Sequence, residues 1–197
     1  RGRTGGLQLA AVGRGVRRLR WGKHQRRRVR RQGLRWVRAR GVQHDRGLPL
    51  RLSVAGIGEE MDNLKAQAAD LGIAYKVVFL GGVRDLTTYF KDVDILVNTP
   101  NCAGDHGAGV GNNILEAGLY DTPVVTYDMA GISEMVINGQ TGYCTPLLDL
   151  PAFSAAVETL VNDADLRRRY GDALNRHVTH LCSDEEIYRT TMAAYNM

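Results

Sequence analysis

From Leu50 to the C-terminus, short apolar runs alternate with segments whose apolar residues recur every three or four positions. Residues 51–55 are a predicted strand that ends in Gly56-Ile57-Gly58, and Glu59-Glu60 open a predicted helix reaching about Leu71. Met61, Leu64, Ala68 and Leu71 share one face of that helix, its first turn is acidic as the dipole favours, and Gly72 supplies the stop. Residues 75–80 are the next strand, and Asp85 is placed to cap a short helix through Tyr89 and Phe90. A third strand covers 94–98 and is closed by Thr99-Pro100. The glycine-bracketed loop 107–111 then leads into a helix through Ile114, Leu115, Ala117, Gly118 and Leu119, which either Asn112 or Asn113 can cap. Asp121-Thr122-Pro123 ends it, and Val124–Tyr127 reads as a short buried strand.

A turn over 138–142 and the apolar pair Tyr143-Cys144 follow. Pro151 suits the first turn of a helix over 152–161, where its missing N–H has no partner to lose. Further helices are predicted over 164–177 and 183–195, the last opened by a capping box of Ser183 and Glu186. Strands alternating with helices, on connections long enough for crossovers, imply a parallel sheet covered on both faces. Residues 51–197 are therefore expected to form one α/β domain, a Rossmann-like doubly wound sheet.

Residues 1–50 break the pattern. They contain no Ile, Phe, Tyr, Met, Glu, Asn, Cys or Ser, and are led by Arg and Gly. Without branched and aromatic residues beyond scattered Leu, Val and Trp, they are expected to be an irregular, Arg-rich N-terminal arm. Three readings stay open. The arm is a basic segment that neutralises nucleic-acid phosphates, with Trp21 and Trp36 to stack on bases. It is non-native or disordered sequence, such as a GC-rich gene translated out of frame. Or it is a disguised part of the domain.

Charge separates the same two parts. Residues 1–51 hold 16 Arg and 1 Lys against the single acid Asp45, a formal +16. The remaining 9 basic and 20 acidic residues give −11, so the high pI belongs to the arm and the globular part is acidic. Cys102, Cys144 and Cys182 are widely spaced and odd in number, without a metal-ligand or disulfide pattern, which suits a reducing compartment. No apolar run is long enough to span a membrane, and no apolar core follows the basic start as in a signal peptide. A cytoplasmic location, peripheral to a membrane at most, is expected. A chain that begins with Arg1 reads as a fragment or a processed product.

Ligands of open α/β sheets bind beyond the carboxyl ends of the strands. Three glycine-rich segments lie there: Gly56-Ile57-Gly58, Gly81-Gly82-Val83-Arg84 and the loop 107–111. Any one alone is ordinary strand termination. A glycine loop running into a helix start also gathers free N–H groups and the positive end of a dipole, which makes a site for an anion, most often phosphate. Glu116 follows within that helix, and Arg84 follows the second strand. His177 and His180 sit three apart without further ligands and read as surface-helix residues, and no metal site is expected.

The stretch from Gly107 to Glu134 resembles the donor-site signature of retaining glycosyltransferases with the GT-B fold, family four in particular. The family loop reads Glu-Gly-Phe-Gly, with a second glutamate after seven intervening residues. Here Gly109-Val110-Gly111 and Glu116 fall on that pattern, while Ala108 stands where the first glutamate belongs. Asp121-Thr122-Pro123-Val124-Val125 and Ala130-Gly131-Ile132-Ser133-Glu134 match two further blocks in order and spacing. Val12-Gly13-Arg14 is similar to the family's Val-Gly-Arg-Leu strand end, with Lys23 a loose candidate for the lysine after it.

The resemblance implies that 51–197 is the C-terminal, donor-binding half of the fold. The three glycine segments would surround a nucleotide-diphosphate sugar, used as donor substrate without metal or other cofactor. Gly56, Gly58, Val83 and Arg84 would flank the nucleoside, Gly109, Val110, Gly111 and Asn112 would meet the diphosphate, Glu116 would hold the ribose hydroxyls, and Glu134 would lie in the same cleft. Asp105 or His106 would replace the sugar contact missing at Ala108. The acceptor, a sugar or lipid-linked hydroxyl, would bind an N-terminal domain that is not among these residues, so this chain alone is expected to transfer no sugar. A nucleic-acid-binding protein acting through the arm is the competing reading. An epimerase sharing the fold would need acid/base residues that the sequence does not display.

Overall fold

The apolar runs Ile95–Asn98 and Val124–Tyr127 form strands of a largely parallel sheet, because β-branched and aromatic residues fill a pleated surface buried on both sides. The computed structural model describes residues 50–58, 61–99, 112–129 and 131–195, and the backbone of 7–10 and 17–22. Its strands are β1 (Leu7–Ala10), β2 (Arg17–Gly22), β3 (Leu50–Gly56), β4 (Val77–Gly81), β5 (Ile95–Asn98), β6 (Val124–Tyr127) and β7 (Gly142–Thr145). They form one sheet in the order β4-β3-β1-β2-β5-β6-β7. Every residue of β5 and β6 is buried, as strands covered on both faces must be.

The parallel sheet expected from the sequence is present, with one exception. β3 and β4, β2 and β5, β5 and β6, and β6 and β7 all run parallel. β1 runs antiparallel to both of its neighbours, opposite Ser53 to Gly56 of β3 and opposite Arg20 and Gly22 of β2. β2 and β3 meet directly only at Arg17↔Leu50 and Arg18↔Arg51, in parallel, so β1 separates their carboxyl halves. The segment expected to be irregular thus supplies two strands, and the sheet has no cut at residue 50. From β2 the chain winds outward through β3 and β4, then returns to β5 on the other side. β2 is the strand that joins the two halves.

The helices are α1 (Met61–Asp70), α2 (Leu86–Phe90), α3 (Asn112–Leu119), α4 (Leu150–Asn162), α5 (Ala164–Leu181) and α6 (Asp184–Tyr195), with a 3₁₀ turn at Ala74–Lys76. Caps explain most boundaries. Asp85 accepts from Thr88 N at 3.1 Å, Asp149 from Ala152 N at 2.9 Å and Asp163 from Leu166 N at 2.8 Å. Hydrogen bonds from the side chain and the backbone N–H of Thr88 hold the Asp85 carboxyl below its usual range. Ser183 Oγ accepts from Glu186 N at 3.2 Å as the capping box requires, but the Glu186 carboxylate turns to Arg189 Nε at 2.8 Å instead of closing the box. α5 runs one turn beyond its expected end, and Arg167 donates to the carbonyls of Leu160 and Val161, satisfying the end of α4. The expected strand at 75–80 starts later, because Lys76 N closes a tight turn on Ile73 O at 2.8 Å that buries Ile73 and leaves Tyr75 in solvent.

Two apolar layers sandwich the sheet. One joins Leu52, Val54, Ile95, Val97 and Val125 to α1 and α4, centred on Phe153. The other joins Leu96 and Val124 to α2, α3 and the turn 131–136. α5 belongs to both, with Leu166 and Tyr170 in the first layer and Leu174 and Val178 in the second.

Candidate functional site

The return from β4 to β5 across β2 is where an open sheet reverses its winding, and the crevice beyond the strand ends at such a point binds ligands. The ends of β3 and β4 are brought together there. Ala55 pairs with Gly81, and a Cβ added to Gly82 would lie 3.7 Å from Ile57 Cγ2, so the two loops touch. Gly56 has a φ of 137°, which favours glycine and turns the chain sharply at the end of β3. Val83 is half-buried against the second layer, while Arg84 is exposed.

α3 starts at Asn112, at the place the sequence predicts. Both asparagines lie in its first described turn, and the residues before it lie outside the described ones. Ile114 and Ala117 fasten the helix to the second layer. Glu116 lies just beyond the first turn, half-buried, with its Oε2 withdrawn from solvent. Side chains on a helix lean toward its start, which carries this carboxylate toward the loop before α3. Asn113 Nδ2 and Thr99 Oγ1 are also buried, and neither has a hydrogen-bond partner among the described residues. These two groups bracket the glycine loop, and polar groups buried at such a place call for a partner. Asp105, His106, Gly109, Val110 and Gly111, like Ala108, lie outside the described residues.

Beneath this edge runs a row of buried polar residues. Asn98 Nδ2 donates to Thr126 Oγ1 at 3.4 Å, and Thr145 Oγ1 donates to the Thr126 carbonyl at 3.3 Å. The row ties the carboxyl ends of β5, β6 and β7 together. The sequence marks Asn98 and Thr126 only as strand residues and does not mark Thr145, although a polar residue closing an apolar run is a usable signal.

Past β6, the turn 131–136 is pinned by Ile132 and Met135 in the second layer. Glu134 is exposed on it. Its carbonyl accepts a hydrogen bond at 2.7 Å from Nε2 of His177, one of the two histidines taken as surface residues. Spacing held no sign of that bond. Of the thiols, Cys144 is pushed up to about 11 by burial and by the charge of Asp128, and it donates to Val136 O at 3.1 Å, so it is no nucleophile at neutral pH. Among the described residues no cluster of His, Cys, Asp and Glu could hold a metal ion, and no helix is long and apolar enough to cross a membrane.

A Rossmann-like, largely parallel sheet with this winding is that of the C-terminal half of the GT-B glycosyltransferase fold. The sequence matches the family described as glycosyl transferases group 1 over residues 8–163, a span that begins inside the Arg-rich segment. The chain belongs to that family. It is 34% identical over 121 residues to the lipopolysaccharide core biosynthesis glycosyltransferase LpsE of Rhizobium meliloti, covering 61% of this chain and 34% of LpsE. The chain spans about a third of the length of the curated relatives it matches. Among solved structures it superimposes on a mutant of Staphylococcus aureus TarM in complex with fondaparinux, α-GlcNAc-glycerol and UDP, with a TM-score of 0.63 and 19% identity over 74% of this chain and 29% of TarM. It also superimposes on the C-terminal domain of a group 1 glycosyl transferase, LpcC, from Francisella tularensis, with a TM-score of 0.51 and 20% identity over 63% of this chain and 64% of that one.

Proposed function

We propose that this chain is the donor-binding half of a retaining glycosyltransferase that takes a sugar from a nucleotide-diphosphate sugar and passes it to an acceptor hydroxyl. The observation that carries the proposal is the placement of Glu116 just inside a helix that starts beyond the carboxyl end of β5. There its carboxylate accepts from the vicinal hydroxyls of the ribose. N–H groups of Gly109, Val110, Gly111 and Asn112 receive the diphosphate, and Gly56, Gly58, Val83 and Arg84 flank the nucleoside. Glu134 faces the sugar, with Asp105 or His106 supplying the contact that Ala108 lacks. UDP in the TarM complex is consistent with a nucleoside diphosphate as the bound product.

Catalysis in such a cleft is positioning and electrostatics. N–H groups aimed at the departing diphosphate stabilise its growing charge while the acceptor hydroxyl attacks, and no metal or other cofactor is needed for that role. The acceptor, a sugar or lipid-linked hydroxyl, requires a second domain, so these 197 residues alone are expected to bind donor and transfer nothing.

Titration of the whole chain with UDP, GDP and ADP, in the wild type and Glu116→Gln, tests the proposal. The substitution keeps size and removes charge. It should weaken the preferred nucleotide by about 1.5–3 kcal/mol, the range for a hydrogen bond to a charged group, or roughly tenfold to hundredfold in Kd. Equal affinities would make Glu116 a surface glutamate and remove the proposal's main support.

A further inference from the structure

We infer that His177 is a positioning residue for the donor sugar: through the carbonyl of Glu134 it fixes the turn that presents the Glu134 carboxylate. The inference rests on the donor-binding reading above and adds to it a residue from the far end of the domain.

His177 Nε2 lies 2.7 Å from the Glu134 carbonyl oxygen. A carbonyl only accepts, so this ring nitrogen carries the proton and donates, whether the imidazole is neutral or charged. Around it, α5 grips both segments that line the candidate cleft. A Cβ on Gly118 of α3 would stand 2.6 Å from Val178 Cγ2, and one on Gly171 would overlap the Asp121 carbonyl just past the end of α3. Glycine at both places lets α5 approach α3 at backbone distance. Leu174 and Val178, which flank His177 on α5, pack in the same layer as Ile132 and Met135 on either side of Glu134. Apolar packing alone lets a turn rock about its contacts. The histidine bond adds a directional restraint at residue 134 itself, next to the Cα that carries the carboxylate.

The test uses the full chain as wild type, His177→Ala and His177→Gln, the last because a glutamine amide can donate at similar reach. Hydrogen–deuterium exchange over residues 129–137 reads the anchor without any ligand. Calorimetric titration with UDP, GDP and ADP, and with the glucose ester of each, reads its effect on the donor. In His177→Ala the expected result is faster exchange confined to that turn and about tenfold weaker binding of the sugar ester, the scale of one lost hydrogen bond. The bare diphosphate should stay within about twofold, and His177→Gln should restore both readouts. Unchanged exchange in the alanine variant overturns the anchor whatever the ligands do. Equal losses for bare and sugar-bearing nucleotides, or no rescue by glutamine, overturn the positioning role and leave His177 as packing. A wild type that binds none of the six ligands overturns the donor reading, and this role with it.

Discussion

The two faces of the sheet are built from similar apolar residues yet differ in what they leave for chemistry. The face under α1 and α4 is closed: Phe153 is fully buried and packs against Tyr127 with ring centroids 4.9 Å apart, and α4 is capped at its start by Asp149. Burial, with the charge of Asp149, pushes the Tyr127 phenol up to about 12, which leaves it without acid–base work near neutral pH. Its helices are long and its connections to them short. On the other face, α2 and α3 are short, and Arg84, Asn112, Glu116 and Glu134 all lie on that face or at its rim. There the connections carry the polar groups. One face fixes the sheet so that the other can hold loops near a ligand, and α5 spans both.

This division can be broken by substitution. Phe153→Ala should cost about 3–5 kcal/mol of stability, the range for emptying a large aromatic site, while the nucleotide affinity of the folded fraction stays unchanged; urea unfolding paired with calorimetry reads both. A fall in affinity of the folded protein would mean the faces are coupled more tightly than the layers imply. Gly171→Ala should cost about 1–3 kcal/mol, since its methyl meets the Asp121 carbonyl and pushes α5 from α3, and here affinity should fall as well. Asp163→Ala removes the α5 cap and should cost about 1 kcal/mol with no change in binding. The smallest effect concerns reactivity alone. At pH 8 iodoacetamide should modify exposed Cys182 readily, while Cys144, half-buried and with its pKa near 11, should react only on unfolding.

Much of the closed face was legible because its signals are local. Pro151 in the first turn of α4, the spacing of Leu64 and Ala68, and Gly72 at a φ of 66° each act within a few residues. The start of α3 and the position of Glu116 on it were legible for the same reason. What escaped depended on distant partners. His177 meets a carbonyl 43 positions away, and Asn98 meets a threonine 28 away, and neither is marked by periodicity. β2 escaped because RRLRWG has little strand character of its own, and β1 because LQLA is only four residues long without a β-branched or aromatic residue, so pairing with neighbours has to impose both. The late start of β4 reflects Ile73, whose burial bends the chain into a turn before the strand begins.

The strand that joins the two halves of the sheet has a consequence in time. β2 pairs with β5 from Leu19↔Ile95 to Gly22↔Asn98, residues about 75 positions apart. At roughly 5–20 residues per second, about 4–15 s of synthesis separate the two partners. Through that interval one edge of β2 has nothing to bond to, and an open strand edge invites foreign chains. Contacts of such long range also slow folding once synthesis ends. The seam therefore stays open while residues 23–94 are made, and it is a place where assembly can go astray.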